Sequence, residues 1–266
     1  MDVCAKLRGI LQERRIGHGG TLDPMATGVL PVFVGQATRA VEFAENGEKE
    51  YVAGLRLGIV TNTQDVTGEV LETHPVQVSR EDIAMVLSRF LGPQEQIPPM
   101  YSAVKIGGKK LYELARKGQE VARKPRNITI WELELLDQTG PADFLLRCRC
   151  SKGTYIRTLC HDLGQALGCG GTLASLRRTM AAGFTLEDVQ AQGEALLLPT
   201  DSLFADSPIL LLKTDREEKR VRCGNPITMP GIPDGTYRVY GQDRTFLCLS
   251  RAENGTLTSI KNFFGA

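Results

Sequence analysis

The chain has no stretch that approaches the roughly 20 consecutive apolar residues a membrane-spanning helix needs. Its first residues, Met1 to Lys6, hold no apolar core of a secretion signal. A cytoplasmic location with no membrane partner is therefore expected. Cysteines number seven, an odd count, and no Cys-x-x-Cys pair occurs. Cys148 and Cys150 stand two apart in a strand-like run, so they share a face, but no further ligands lie nearby. His18, His74 and His161 are far apart in sequence and lack ligand spacing. No metal site is expected, and the cysteines read as buried free thiols. A chain of 266 residues with 42% hydrophobic residues can build its own core without a disulfide framework. Internal repeats and low-complexity segments are absent. Net charge is nearly absent too, at +1, which by itself speaks against a strongly basic nucleic-acid binder.

What charge there is lies unevenly. Between Tyr101 and Arg126 stand eight Lys or Arg against two Glu, while Glu42 to Glu72 carries seven acids against two bases. Such a dipole can turn one side of a molecule toward a polyanion. Elements can be read along the chain from hydrophobic period and turn residues. Residues 1–13 suggest a short helix with Val3, Leu7 and Leu11 on one side. Gly28 to Gly35 encloses a short apolar strand, and Tyr51 to Ile59 another. Ser79 with Asp82 opens a helix whose stripe is Ile83, Val86, Leu87 and Phe90, closed by Gly92-Pro93. Ile128 to Leu136 and Phe144 to Cys150 alternate as half-buried strands. Thr154 is placed to cap a helix carrying Ile156, Leu159, Leu163 and Leu167. Beyond Pro199 the texture becomes short apolar runs between turns, as in a small all-β domain. Strands and helices mix without strict alternation, so the fold class is α+β.

Gly17 to Gly28 reads Gly-His-Gly-Gly-Thr-Leu-Asp-Pro-Met-Ala-Thr-Gly. No Gly-Lys-Ser or Gly-Lys-Thr follows and no Gly-x-Gly-x-x-Gly occurs there, which disfavours a phosphate loop. Pro24 biases Asp23 toward an extended backbone. An extended carboxylate among glycines can be presented to a ligand, yet an aspartate in this setting more commonly closes a turn or caps a helix. Residue chemistry alone leaves both readings open.

This segment, continued through Val29-Leu30-Pro31 and Gly35-Gln36-Ala37-Thr38-Arg39, resembles the active-site motif of the bacterial tRNA pseudouridine synthase B family. Lys49-Glu50-Tyr51, the run from Pro98 to Lys105 continued from Gly108 to Arg116, Ser151 to Leu159, and Leu176-Arg177-Arg178 resemble further family segments in the same order. The matches span about 160 residues. The resemblance implies a pseudouridine synthase fold with a mixed, mostly antiparallel sheet over residues 1–199, a basic RNA-gripping insertion at about 98–126, and a small PUA-like RNA-binding domain at 200–266. It implies isomerisation of uridine 55 in the T loop of tRNA on a flipped-out nucleotide, by a monomer that uses no cofactor. Asp23 corresponds to the catalytic acid, Arg157 to the arginine that pairs with it, and Tyr51 to the tyrosine that stacks on the target base. His18, Tyr155, Lys105, Lys109, Lys110, Arg116, Arg123, Lys152, Arg177 and Arg178 are the expected RNA contacts. The family's opening segment, with Lys-Pro, Gly and Thr-Ser, has no counterpart here, so the chain is expected to be short at its N-terminus.

Three other readings compete, one of them a plain structural protein, which the clustered motifs disfavour. An RNA-binding module could have lost catalysis together with that segment. A glycosidase would need a second carboxylate about 5 to 9 Å from the first, a position that folding could give to Asp65.

Overall fold

The computed structural model describes residues 3–190 and 197–264. The chain divides into two compact units. One comprises residues 1–21, 30–45 and 191–266, and the other comprises Leu22–Val29 and Asn46–Gln190.

The second unit is built on a seven-stranded sheet. Its strands run in the order Phe184–Thr185, Gly171–Ala181, Lys49–Leu57, Asp143–Cys150, Arg126–Gln138 and Gly92–Gln96, all antiparallel. The short Thr27–Gly28 strand pairs parallel with Gly171–Ala181, at Arg177 and Arg178. This is the α+β, mostly antiparallel architecture expected from the sequence. The Asp143–Cys150 strand alternates strictly, with Phe144, Leu146, Cys148 and Cys150 turned inward. Helices Arg80–Ser88 and Ile156–Ala166 pack against that face through Ile83, Val86, Leu87, Leu159 and Leu163. Each fully buried Leu or Ile contributes about 1.5 to 3 kcal/mol. The seven cysteines are all free thiols, six of them buried, and burial pushes the Cys160 thiol up to about 12.

The helix at Arg80 begins as its sequence suggests. The Ser79 side chain accepts from the Asp82 amide and the Asp82 side chain bonds back to the Ser79 amide. Gly92 then takes a left-handed φ of 87° and Pro93 lies in the outermost strand, where its missing N–H costs no ladder bond.

Three details differ from the sequence reading. In the Val3–Leu11 helix only Cys4 is buried, and Val3 and Leu11 are exposed. The Ile156–Ala166 helix is not capped by Thr154, whose hydroxyl donates to the Ser151 carbonyl instead. Its N-cap is Tyr155, and the Gln96 side chain accepts from the Tyr155 amide at 2.8 Å and donates to the Tyr155 carbonyl at 3.1 Å. The C-terminal residues are not all β. Their five-stranded sheet, ordered Ile209–Leu211, Gly235–Tyr240, Phe246–Glu253, Thr256–Asn262 and Ile227–Thr228, is accompanied by helix Asp215–Arg222. That helix buries only Val221, so it leaves no apolar stripe in the sequence.

Candidate active site

Asp23 leads a tight turn, and the two readings of it separate by atom. Its backbone carbonyl accepts from the Ala26 amide at 2.9 Å and closes the turn. Its carboxylate is left for other partners, and both oxygens meet Arg157. Nε of Arg157 donates to Oδ2 at 2.8 Å and Nη2 to Oδ1 at 3.2 Å, a bidentate fork. Arg157 is the second residue of the Ile156–Ala166 helix, so the Gln96 bonds at the helix start also fix the origin of its side chain.

The remaining guanidinium N–H groups are engaged as well. Nη1 donates to the Thr63 carbonyl at 3.1 Å and Nη2 to the Tyr101 carbonyl at 2.9 Å. Nη1 also lies 3.7 Å from Oδ2 of Asp65. The Arg157 side chain is 6% exposed and that of Asp23 33%. The cation is thus sunk in the protein while the acid faces outward.

Asp65 is not a second acid poised across a gap. Its Oδ1 accepts from the Thr63 hydroxyl at 2.9 Å and from the amide and hydroxyl of Thr67 at 3.0 and 2.5 Å. Both carboxylates lean on one guanidinium, which is an arrangement for orienting, not for the paired acid and base of a glycosidase.

Tyr51 is half-buried on the Lys49–Leu57 strand, between Cys148 on one neighbouring strand and Arg178 on the other. Burial pushes its phenol up to about 12. Repulsion from Cys150 and Asp23 adds to the rise, while the positive charge of Arg178 opposes it. The turn that carries Asp23 leads into Thr27–Gly28, which pairs with Arg177 and Arg178, and Arg178 in turn pairs with Tyr51. The structure therefore brings Asp23, Arg157 and Tyr51 together.

The expected RNA contacts are more scattered. Lys105 and Lys109 are exposed on a small hairpin whose turn is Gly107-Gly108, with φ of 57° and 81°. Positive φ at both positions is what a two-residue hairpin turn of this hand requires. Lys110 and Arg116 each lie 5.4 Å from the centre of the Tyr112 ring. Arg123 is drawn inward, donating to the Pro98 carbonyl at 3.3 Å and pairing with Glu120. Lys152 is exposed and donates to Asn46 at 2.6 Å. Tyr155 is half-buried at the helix start and Arg177 is exposed. His18 belongs to the other compact unit, where its Nδ1 is buried without a partner among the described residues. Arg178 departs from the expectation of a surface contact. It is 1% exposed, and its Nε donates to the Val29 carbonyl at 2.7 Å.

Sequence reasoning missed Gln96, Thr63 and the Tyr101 carbonyl, and it weighed Asp65 only as a rival acid. The Thr-Gln-Asp-Val-Thr run from 63 to 67 was the one local signal, because hydroxyls two residues either side of an aspartate commonly bond it. No group of His, Cys, Asp and Glu among the described residues is placed to hold a metal, and no described helix is long and apolar enough to cross a membrane.

Known proteins resemble this chain closely. Residues 8–156 match the family model described as TruB family pseudouridylate synthase (N terminal domain), and residues 157–205 match that of the tRNA pseudouridylate synthase B C-terminal domain. The tRNA pseudouridine synthase B of Alkaliphilus oremlandii is 43% identical over 250 residues, covering 91% of this chain and 83% of that protein. That of Clostridium kluyveri is 39% identical, covering 98% of this chain and 94% of its own. Among solved structures, a chain of a Cbf5-Nop10-Gar1 complex superposes with a TM-score of 0.68 at 25% identity, over 98% of this chain and 80% of that one.

Proposed function

The chain belongs to the TruB family of tRNA pseudouridine synthases and so isomerises a uridine of transfer RNA to pseudouridine, and from that premise we propose that Asp23 is the acid that acts on the nucleotide, with Arg157 aiming it and Tyr51 receiving the base. The observation that carries the assignment is the forked pair between a buried guanidinium and a partly exposed carboxylate. The guanidinium favours the ionised acid and fixes its direction.

Isomerisation breaks the bond from ribose C1′ to N1, joins C1′ to C5, and releases the proton from C5. An ionised carboxylate serves this as a nucleophile or as the counter-charge to a cationic C1′. No electrons are gained or lost overall, so the reaction needs neither a redox cofactor nor a group donor. With its phenol pushed up to about 12, chiefly by burial, Tyr51 is neutral at pH 7. A neutral ring offers a stacking face to an extruded uracil, worth about 1 to 3 kcal/mol per base. Such a base must first leave its own stack.

The substrate position we assign is uridine 55 in the T loop. Lys105, Lys109, Lys110 and Arg116, on the insertion at about 98–126, suit the phosphates of the T arm. Arg123 suits the base of the insertion, since it ties residue 98 to residue 123. Lys152, Arg177 and Tyr155 would extend that footprint, and His18 would touch the same RNA. Residues 200–266 would act as a small PUA-like RNA-binding domain in addition to the catalytic residues of 1–199, in a monomer working in the cytoplasm. Transfer RNA carrying tritium at C5 of uridine 55 tests the reading. Label released to water in step with pseudouridine formation is the expected result, and label released only from another uridine would move the assignment elsewhere.

A further inference from the structure

Arg178 is the bulkiest of the fully buried side chains, at 1% exposure, and the reaction as described gives it nothing to do. Burying a guanidinium costs several kcal/mol unless its donors are satisfied. A leucine would fill similar space at no such cost. The cation therefore calls for an explanation in its partners.

Two of its neighbours come from different pieces of the site. Nε donates to the carbonyl of Val29, the last residue of the span that carries Asp23. Arg178 also sits directly across the strand pair from Tyr51, where its positive charge acts on the phenol. The backbone repeats the link. The Val29 amide donates to the Arg178 carbonyl at 2.9 Å, and Gly28 pairs in parallel register with Arg178. Gly28 has φ +104°, and a Cβ there would lie 2.1 Å from the Arg178 carbonyl oxygen, so only glycine lets the two chains approach this closely.

We propose that Arg178 is a positioning residue, whose guanidinium, anchored to the end of the Asp23 loop and lying across the strand pair from Tyr51, sets the acid and the ring in one geometry before the nucleotide arrives. The proposal rests on the assignment of Asp23 and Tyr51 above. Lysine cannot replace it, because a single ammonium centre lacks the planar fork that holds the Val29 carbonyl while facing Tyr51.

The test uses full-length enzyme with tyrosine labelled at ¹³Cζ, the Tyr51 signal being assigned from Tyr51→Phe. Arg178→Met and Arg178→Lys are compared with wild type by that signal in free enzyme, by tRNA affinity, and by single-turnover rate at saturating enzyme. Both variants should shift the Tyr51 resonance. Arg178→Met should lower the bound rate about ten- to a hundred-fold, the effect of losing one charge-assisted hydrogen bond from a positioned group, with affinity held within about three-fold by the same reasoning. If Arg178→Met does not fold, Arg178→Lys carries the comparison, since it keeps the buried charge. An unmoved Tyr51 resonance in a folded variant overturns the proposal, even if the melting temperature falls. So does a wild-type single-turnover rate in Arg178→Lys. Failure of the catalytic assignment itself would look different, because wild-type enzyme would then release no label from uridine 55 while the resonance still responded.

Discussion

Asp23→Asn separates the chemical role of the acid from its place in the fold. The amide keeps the size of the side chain but loses its charge and one of its two acceptors. Of the bonds at 2.8 and 3.2 Å to Arg157, one survives, and the other becomes a donor facing a donor. Were both partners sealed from water, breaking such a pair would cost about 3 to 5 kcal/mol. Here the Asp23 side chain is 33% exposed, and Arg157 keeps the Thr63 and Tyr101 carbonyls and the Asp65 carboxylate. Discounting for solvent brings the loss to about 1 to 2 kcal/mol, or a fall in melting temperature of roughly 2 to 8 °C for a chain of this size. Turnover should fall by roughly 10⁴-fold or more, as when a nucleophile is removed. Affinity for tRNA should hold or rise slightly, because a negative charge has left the neighbourhood of a polyanion. Tritium release under single turnover, filter binding and thermal melting together read all three quantities. Release at near the wild-type rate would refute the role given to Asp23. Loss of activity in step with unfolding would reduce the acid to a structural element.

Other substitutions probe the supports. Replacing both Lys109 and Lys110 with Glu should weaken tRNA binding more than it slows the bound reaction, and should flatten the salt dependence of log affinity by about 0.7 to 0.9 for each phosphate left without its cation; a large rate loss with unchanged affinity would be the contrary result. Gln96→Ala removes both side-chain bonds that hold Tyr155 at the helix start, so stability should drop by about 1 to 3 kcal/mol. Turnover should drop further than stability, since Arg157 is two residues past Gln96's anchor at Tyr155; a denaturant midpoint equal to that of wild type would count against this. The phenol of Tyr51 is raised from 10.0 to about 12 by folding, chiefly through burial. The folded state therefore favours the protonated form, so this contribution is whole below pH 10 and disappears as pH rises through about 12, a loss of roughly 2 to 3 kcal/mol. Tyr51→Phe should flatten that alkaline limb of the stability curve, and an unchanged limb would show that another group titrates there.

What could be read from the chain beforehand follows the range of each interaction. Ser79 and Asp82 cap a helix three residues at a time, and the alternation of Phe144 to Cys150 is a local pattern, so both were legible. Asp23 and Arg157 are 134 residues apart, and only the resemblance of whole motifs joined them in advance. Arg178 shows the opposite failure. A basic residue next to exposed Arg177 reads as surface charge, yet strand alternation sends the two to opposite faces, and the Val29 carbonyl accepts from the buried guanidinium. Gln96 reaches across 59 residues to Tyr155, and nothing near it in sequence points there. The Asp215–Arg222 helix escaped notice because charge covers nearly all its sides.

The depth of Arg157 relative to its acid has an effect on the reaction path. Carbonyls from positions 63 and 101 and a fixed second carboxylate already solvate the guanidinium in the resting enzyme. On the role proposed for Asp23 its charge changes during the reaction, and the dipoles around its partner then have little room to swing. In bulk water a comparable anion would drag its hydration shell through each change, and that reorganisation is a large part of an ionic barrier. Here the rearranging was completed once, when the polypeptide folded, and each turnover inherits it.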